Sequence, residues 1–434
     1  MWAQETVKDT VFLIPFADTV LLDEVVVKAH KTIPMNNRWS DLQPVDLVTV
    51  AGANGNLYKA LETLPGTQIQ GESGRLLVRG GSSDETQTYI DGMHVLNPYT
   101  STAENIPARG RYSPFMFSGI NLSTGGHSQE YGEALSAVLP LETKDNSRIN
   151  KVGISPSTVG IGGGGNHAFR NASLALNLDY QNLALYNKVY PGRIDFKKPY
   201  QMFSGATQFR YTPSGSSVFK IYVGYDRTDY SNYTDNNRYL FCLGENNVYL
   251  NSTFRTAISG GWEWFSGMAY SLFDRKVDGA VTEGDHWCEK QAELHFKTKL
   301  SKKFHPTFRM DVGFESFLRW YETRYSQVSV ADTKEISPTI EAVFGTVSYY
   351  PVENLKAELS FRTEYASLAR KINFSPRLSF SYSWCDLVLS ATAGRYTQLP
   401  NAKYLAQQPS LFLQPTINIW IRPVNYSICI RTST

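Results

Sequence analysis

The sequence lacks any apolar run that approaches the roughly 20 residues a membrane-spanning helix requires, and its mean hydropathy is only −0.31. It also has almost no net charge, because 42 Lys and Arg face 40 Asp and Glu. No basic cluster stands out, so nucleic acid is not predicted as a partner. The opening residues 1–4 lack a basic n-region and an apolar h-region, so no complete signal peptide is visible.

Signatures of cofactor, metal and catalytic sites are also missing. The four cysteines are far apart and form no CxxC spacing, which argues against a zinc site or a small disulfide scaffold. The run Gly160–Gly165 has no following Lys-Ser or Lys-Thr, so it does not predict a phosphate-binding loop. His94 and His127 would need further ligands to hold a metal. We therefore predict no enzyme, no cofactor and no metal.

Aromatic residues are abundant instead: 26 Tyr, 23 Phe and 8 Trp make up 13% of the chain. A polar average composition without a spanning helix fits a transmembrane β-barrel, whose strands are apolar on one face only. It fits a secreted all-β protein equally well. Composition alone leaves both alternatives open.

Residues 51–145 mix helix and strand signals. Leu57, Leu61 and Leu64 form an apolar stripe at helical spacing that ends at Pro65-Gly66, which predicts a short helix. Two β-prone runs, 86–90 and 93–95, are joined by Asp91-Gly92, which predicts a hairpin with a type I′ turn. The region is predicted to be a small α+β domain that follows an N-terminal segment, residues 1–50.

From residue 151 onward the sequence becomes a series of strands. In 308–315 and 355–362 apolar and polar residues alternate strictly, which places each set on one face of a sheet. About twelve strands of roughly ten residues are expected between 151 and 397, with long polar loops at 226–252 and 275–290. Because one face carries full charges on strand after strand, we favour an antiparallel transmembrane β-barrel over a soluble sandwich.

Several short motifs follow one another in the region 51–145. They are Leu64-Pro65-Gly66, Leu77-Val78-Arg79-Gly80-Gly81, Tyr89-Ile90-Asp91-Gly92, Asn97-Pro98, Glu130-Tyr131-Gly132 with Leu135-Ser136-Ala137-Val138, and Leu141-Glu142-Thr143-Lys144-Asp145. Each motif is unspecific by itself. Together, in this order and over about 95 residues, they resemble the plug domain of TonB-dependent receptors, most closely those of the Bacteroidetes type.

The resemblance implies a plug, residues 51–145, inside a 22-stranded barrel, and the chain departs from it. Residues 151–408 are expected to supply only part of that barrel, and 409–434 form an aberrant tail without alternation. We therefore expect a truncated receptor. Upstream, one segment resembles a TonB box, because consecutive valines favour an extended strand that a partner sheet can bind. It consists of Asp23, Glu24, Val25, Val26, Val27, Lys28 and Ala29.

The resemblance also suggests which plug residues have a function. The candidates for substrate contact are Asn97, Tyr99, Arg111 and Tyr112, since tyrosines can stack on a planar ligand and arginine can meet an anion. The alternative is that these side chains only pack against the barrel wall. The candidates for contact between plug and barrel are Arg79, Glu130 and Tyr131.

The implied function is import of a scarce nutrient, such as a siderophore or cobalamin, across the outer membrane of a Gram-negative cell. The implied partners are TonB with its inner-membrane energising complex, a small-molecule ligand, outer-membrane lipid and a surface lipoprotein. The plug would face the barrel lumen, with a periplasmic N-terminus. Two alternatives stay open: a truncated fragment that does not function, and a receptor that senses ligand without transport.

Overall fold

The computed structural model describes residues 39–407, apart from positions 43, 54, 70–72, 103–106, 145–149, 192–194, 234–238, 281–282, 328–329 and 385–386, together with residues 429–432. The predicted TonB box, residues 23–29, lies outside the described residues, as does all of the predicted aberrant tail except 429–432. No helix in the described ranges is long and apolar enough to cross a membrane.

The first part of the chain folds into a small α+β domain, which we call the plug. Its elements are β1 (Trp39–Leu42), α1 (Pro44–Thr49), α2 (Leu57–Leu61), β2 (Thr67–Ile69), β3 (Leu76–Val78), β4 (Thr86–Ile90), β5 (Met93–Val95), β6 (Phe117–Ser123) and β7 (Ala137–Thr143), with single 3-10 turns at Ser83–Glu85 and Pro114–Met116. Five strands form one sheet in the order β1-β6-β7-β4-β5, in which β4 and β7 are parallel and the other pairs antiparallel. Strands β2 and β3 pair separately.

The plug has its own apolar core. Helix α2 begins at the N-cap Asn56, whose side chain accepts a hydrogen bond from the Tyr58 amide. The helix buries Leu57, Tyr58 and Leu61, as the apolar stripe in the sequence predicts. These side chains pack with buried residues of the sheet, such as Ile90. The same cluster continues onto Tyr222, Tyr249 and Phe265 of the second part of the chain, so the plug core and the large sheet pack together.

The second part of the chain is one large antiparallel sheet that curves around the plug. Its strands are β8 (Lys151–Ser157), β9 (Gly160–Ala168), β10 (Ala172–Asn182), β11 (Phe196–Ser214), β12 (Ser217–Tyr233), β13 (Leu240–Ile258), β14 (Trp262–Asp278), β15 (His286–His305), β16 (Phe308–Gln327), β17 (Val330–Ile336), β18 (Thr339–Val352), β19 (Leu355–Ala366), β20 (Lys371–Trp384), β21 (Leu387–Gly394) and β22 (Cys429–Thr432). Each strand pairs with the next along the chain, except that β17 pairs only with β16 and β18 returns to β16.

Two short helices interrupt the series: α3 (Ala184–Val189) follows β10, and α4 (Ala402–Gln407) follows β21. The connections at one end of the sheet are tight, as at 306–307 and 353–354. Those at the other end are longer, as at 183–195 and 279–285. This difference between the two ends is typical of outer-membrane barrels.

The described residues between 151 and 394 form fourteen strands, against about twelve predicted. The prediction of long loops at 226–252 and 275–290 was wrong, since β12 to β15 run through both ranges and leave only short connections at 234–239 and 279–285. Strands β11 to β16 have 17 to 20 residues instead of about ten. In these long strands every second residue lies on the inner face and is often polar. A high content of polar residues therefore does not by itself indicate a loop.

Strand β16 shows how the two faces differ. Met310, Val312 and Phe314 point outward and stay exposed, whereas Glu315 is fully buried on the inner face. The alternation in the sequence therefore sorts apolar side chains to the outside and charged ones towards the plug.

Candidate functional site: the plug and the inner wall of the sheet

The hairpin of β4 and β5 carries the plug's main contacts with the wall. Its turn has two residues with positive φ, Asp91 at 50° and Gly92 at 85°, so the predicted type I′ hairpin is confirmed. The Asp91 carboxylate accepts bonds from the amide and the hydroxyl of Thr143, at 3.0 and 2.6 Å. It also forms a 3.0 Å ion pair with Lys220 of β12. One side chain thus joins the hairpin, the last plug strand and the wall.

His94 follows this turn and is buried against β15. Its Nδ1 lies 2.6 Å from Oε1 of Glu293, and its Nε2 lies 2.7 Å from Oε1 of Gln87. Nε2 of Gln87 donates a hydrogen bond to the Asp84 carbonyl at 2.8 Å, and this bond orients the amide so that Oε1 faces His94. Both ring nitrogens of His94 therefore lie within hydrogen-bond distance of side-chain oxygens.

A second histidine on the wall meets the same hairpin. The backbone amide of His94 donates to Nδ1 of His295 at 3.0 Å. The other nitrogen of that ring, Nε2, lies 2.9 Å from a carboxylate oxygen of Glu315. Since Nδ1 is an acceptor, the proton of His295 sits on Nε2 and is donated to Glu315. These contacts of His94 with His295 and Glu293 fix the position of the hairpin along β15.

Arg319 of β16 bridges two carboxylates, one from the wall and one from the plug. Its Nε donates to Glu293 at 2.6 Å and its Nη1 to Glu133 at 3.1 Å. The other Glu133 oxygen accepts from the Leu399 amide at 3.2 Å. Burial and the neighbouring Glu364 raise the pKa of Glu133 to about 7, although Arg319 acts in the opposite direction.

Glu130 and Tyr131, which the sequence suggested as contacts with the barrel, lie against lysines of β15. Glu130 forms an ion pair with Lys299, and its carbonyl accepts from Lys297 at 2.8 Å. The Lys297 ammonium also lies 5.0 Å from the Tyr131 ring centroid. Burial opposes ionisation of Glu130, but the two ammonium groups lower its pKa to about 2.

Gly132, the residue after Tyr131, lies where a side chain would collide with the wall. A Cβ at Gly132 would lie 2.2 Å from Nη2 of Arg362, whose guanidinium is paired with Glu315 at 2.7 Å and Glu364 at 2.9 Å. On the next strand along the chain, β20, Arg377 donates to the carbonyls of His127 and Ser128. The plug segment 127–133 is thus held by charged side chains from several wall strands.

The four predicted substrate contacts are all close to the wall or within the plug. Asn97 donates to Asn247 at 3.3 Å, and Tyr99 is buried with its ring 4.4 Å from that of Tyr58. Arg111 is paired with Asp226 at 2.7 Å, and Tyr112 is buried among tyrosines of β12 and β13. Their contact with a substrate stays a prediction.

Arg79, expected to meet the barrel, lies on an exposed part of the plug. Its φ is 50°, and its amide donates to the Gly66 carbonyl at 2.8 Å. Nη1 of its guanidinium lies 3.1 Å from where a Cβ at Gly125 would be. A contact of Arg79 with barrel carboxylates stays a prediction.

Sequence reasoning missed the residues that make the densest contacts. They are His94, Glu133, Glu293, His295, Glu315, Arg319 and Arg362. The contacts among these seven residues join positions that are 20 to 201 residues apart in the sequence, so no local spacing relates them. The one available signal was charge on the polar side of the alternating strands, which locates the inner face without pairing its members.

A cavity of about 250 Å³ lies beside this network, between the hairpin and the long-loop end of the wall. Residues from the plug, from the wall and from the segment before α4 line it, among them His94, Glu133, Arg275, Trp287 and Lys403. Two of its cationic side chains are paired: Arg275 contacts Glu245 at 2.8 Å, and Lys403 contacts Asp84 at 2.9 Å.

Comparison with known proteins agrees with this architecture. Residues 47–138 match the family described as "TonB-dependent Receptor Plug Domain". This part of the chain is thus similar to the plug domain of TonB-dependent receptors. No curated protein matches the sequence. Among the described residues, the match covers the end of α1, all of α2 and every plug strand from β2 to β6.

Solved structures of such receptors share the fold at low sequence identity. The ferric enterobactin receptor PfeA of Pseudomonas aeruginosa, in a mutant form, superposes with a TM-score of 0.62 at 13% identity over 84% of this chain and 62% of its own. The siderophore receptor PirA of Acinetobacter baumannii gives 0.64 at 13% over 84% and 62%. The outer membrane transporter YddB of Escherichia coli gives 0.65 at 13% over 83% and 61%. The chain thus spans less than two thirds of the length of these structures.

Proposed function

We propose that this TonB-dependent receptor takes part in energy-coupled import of a small molecule across the outer membrane. The observation that carries the proposal is a separate plug that meets the inner wall through many charged and hydrogen-bonded side chains, such as the pairs of His94 with Glu293 and Lys220 with Asp91. An aromatic contact at Tyr112 accompanies them. Polar contacts of this kind can be exchanged for water when a plug moves, whereas an apolar interface would resist separation.

The proposed energy source is TonB, together with its inner-membrane complex. The segment Asp23–Ala29 precedes the plug in the sequence, and its three valines favour an extended strand that can add to a partner sheet. Pulling on such a strand would act on the plug through β1, which pairs with β6. The N-terminus would then be on the periplasmic side.

The proposed location is the outer membrane, with the exposed apolar face of the sheet against lipid. Support comes from the outward side chains of the long strands, such as Trp264, Leu300 and Phe361. The proposed ligand class is a scarce nutrient such as a siderophore or cobalamin. The names of PfeA and PirA as siderophore receptors support this class for the present chain.

The test is uptake by cells that express this receptor from its own gene in a strain without competing receptors. Iron-loaded siderophores and cobalamin, each radiolabelled, are offered to cells with TonB, to cells without TonB, and to cells whose receptor lacks residues 23–29. Import that needs both TonB and the segment supports the proposal. Import that persists in cells without TonB, or in cells whose receptor lacks residues 23–29, contradicts the proposal.

Ligand binding without import in any of these strains would favour the sensing receptor instead. An antibody against the plug, used on outer membranes with and without heating, separates this outcome from a failure to assemble. A folded barrel shifts its gel mobility on heating, and a protein that never assembles does not.

A further inference from the structure

One charged side chain interrupts the apolar outer face of the sheet near its tight-turn end. On β15, the outward-facing side chains between Lys290 and the turn at 306–307 are uncharged except for Lys302. The stretches of β14 and β16 that pair with this part of β15 have no charged side chain on the outer face. The direct neighbours of Lys302 across the sheet are Trp262 and Met310, each 37% exposed. The cation is therefore isolated within an apolar surface.

The position of Lys302 corresponds to one surface of a bilayer. Lys302 follows Lys290 by twelve residues. A strand rises about 3.3 Å per residue, so the two cations are about 40 Å apart along β15. With a strand tilt of about 40°, their separation along the membrane normal is about 30 Å, which is the thickness of the hydrocarbon core. Lys302 therefore lies at the headgroup level on the tight-turn side, which is the periplasmic side in outer-membrane barrels.

Two aromatic rings hold the Lys302 ammonium in place. Its Nζ lies 4.7 Å from the ring centroid of Trp262 and 4.9 Å from that of Phe304. The two rings also contact each other edge to face, with their centroids 6.3 Å apart. Cation–π contacts of this kind attract the ammonium but leave its charge in place. We call Trp262, Lys302 and Phe304 the Lys302 cluster.

None of the carboxylates in the described part of the chain pairs with Lys302. Glu263, which follows Trp262, points to the inner face and pairs with Arg309 at 3.8 Å. The segments 254–266 and 300–310 meet at this end of the sheet and contain four Lys or Arg residues and one Glu. The charge of Lys302 is therefore available to an anion from outside the chain.

The surface beside the cluster, towards the centre of the bilayer, is apolar. Trp264 and Leu300 pair directly there and are 37% and 43% exposed. A ligand that covers both the Lys302 ammonium and this surface needs an anionic head and an apolar tail. A free phosphate ion or an acidic peptide would contact only the ammonium. The surface therefore fits a lipid better than either of these.

We propose that the Lys302 cluster binds the headgroup phosphate of an anionic phospholipid in the periplasmic leaflet of the outer membrane. The phosphate contacts the ammonium, and the acyl chains lie along the apolar surface at Trp264 and Leu300. The inference rests on the proposed outer-membrane location and does not depend on import or on the imported molecule. It assigns a lipid of one charge class to one place on the barrel.

The test measures lipid binding to the purified full chain in detergent micelles by native mass spectrometry. Two lipids with the same dioleoyl chains are compared: phosphatidylglycerol, which has a net negative charge, and phosphatidylcholine, which has none. We expect phosphatidylglycerol to bind about fivefold or more tightly, the effect of one lysine near an anionic membrane surface. An excess of glycerol 3-phosphate, which lacks acyl chains, should not displace it. Equal affinities of the two lipids, or displacement by glycerol 3-phosphate, overturns the proposal.

Two adjacent lysines provide a matched pair of variants. Lys302→Gln removes a charge from the outer face, whereas Lys303→Gln removes the same charge from the inner face, one residue farther along β15. We expect the first to lower the affinity for phosphatidylglycerol to that for phosphatidylcholine, and the second to keep the preference. Lys302→Arg keeps the charge and should keep the preference too. Loss of the preference in Lys303→Gln, or its persistence in Lys302→Gln, overturns the assignment.

A further variant tests the aromatic part of the cluster. Trp262→Leu keeps an apolar side chain but removes the ring beside the ammonium. It should weaken phosphatidylglycerol binding about two- to fivefold, the effect of one cation–π contact at an exposed site. Each variant is first examined for heat-shifted gel mobility, which identifies folded barrels. If Lys302→Gln does not fold, unchanged binding in folded Trp262→Leu overturns the proposal by itself.

These outcomes are separate from those of the import test. A chain that prefers phosphatidylglycerol through Lys302 and never imports anything keeps the lipid site and overturns the proposed function. A chain that imports its nutrient through TonB and binds the two lipids equally does the reverse.

Discussion

Nδ1 of His94 in the plug lies 2.6 Å from Oε1 of Glu293 on the barrel wall, and both side chains are buried. Elsewhere, His286 and Asp278 form a pair with the same 2.6 Å separation, but both are more than half exposed. The two pairs have the same chemistry and differ in their access to water. They allow the contribution of the buried pair to plug anchoring to be measured against an internal control.

Replacing His94 should loosen the plug. His94→Phe removes a charged hydrogen bond to Glu293 and leaves the Gln87 oxygen unpaired, which should cost about 1.5–3 kcal/mol of local stability. Hydrogen exchange of amides in β4 and β5, followed by mass spectrometry, measures this as roughly a tenfold or greater gain in exchange rate. The control, His286→Phe, should change exchange of its own hairpin by less than about threefold. Equal effects of the two variants would contradict the assignment of His94 as an anchor.

Glu133 should make plug stability depend on pH. Its pKa in the folded protein is about 7, above the ordinary value of 4.5. The folded state therefore holds a proton that the unfolded state has released, so this group's contribution to stability falls as pH rises from about 4.5 to about 7. Exchange of amides around Ala134 should be faster at pH 8 than at pH 5, after correction for intrinsic rates. Glu133→Gln should flatten this dependence, and a slope that survives the substitution would have another source.

The elements that sequence predicts correctly here are those that local rules determine. The turn at Asp91-Gly92 follows from residues that tolerate positive φ, and the helix from Leu57 follows from spacing and a stop signal. The faces of β16 follow from alternation. Strand length did not follow from local rules. Polar residues between 226 and 252 lie on the inner face of the long strands β12 and β13, and their polarity alone suggested a loop.

The candidate site was less predictable than the fold, for a physical reason. Glu130 was named from a motif and does contact the wall at Lys299. Its neighbour Glu133 was not named, and its environment depends on Arg319, Glu364 and the Leu399 amide, all far along the chain. Pairing between a plug and a wall is decided by the register of strands around it, which no local pattern in the sequence gives.

The turn at the centre of the plug contacts should not tolerate a side chain at Gly92. Its φ is 85°, and an added Cβ would lie 3.4 Å from the Phe265 ring. Gly92→Ala should therefore cost about 1–2 kcal/mol and raise exchange in β4 and β5. Gly153→Ala in β8 is the control, since its Cβ meets nothing within 4 Å. If the two variants exchanged alike, the turn would not limit the stability of the hairpin.

A new charged side chain should impair folding into a bilayer when it is on the outer face of the sheet, but not when it is on the inner face. Leu359 of β19 is 58% exposed on the outer face, where an arginine near the middle of a bilayer costs about 2–4 kcal/mol. Thr346 of β18 lines an inner cavity of about 260 Å³ that also contains Glu358 and Asp311, which an arginine there can pair with. Leu359→Arg should lower the yield of heat-shifted, folded protein after refolding into lipid vesicles, and Thr346→Arg should leave the yield close to that of the original chain. A reversed order of yields would mean that the lipid-facing and plug-facing sides are assigned the wrong way round.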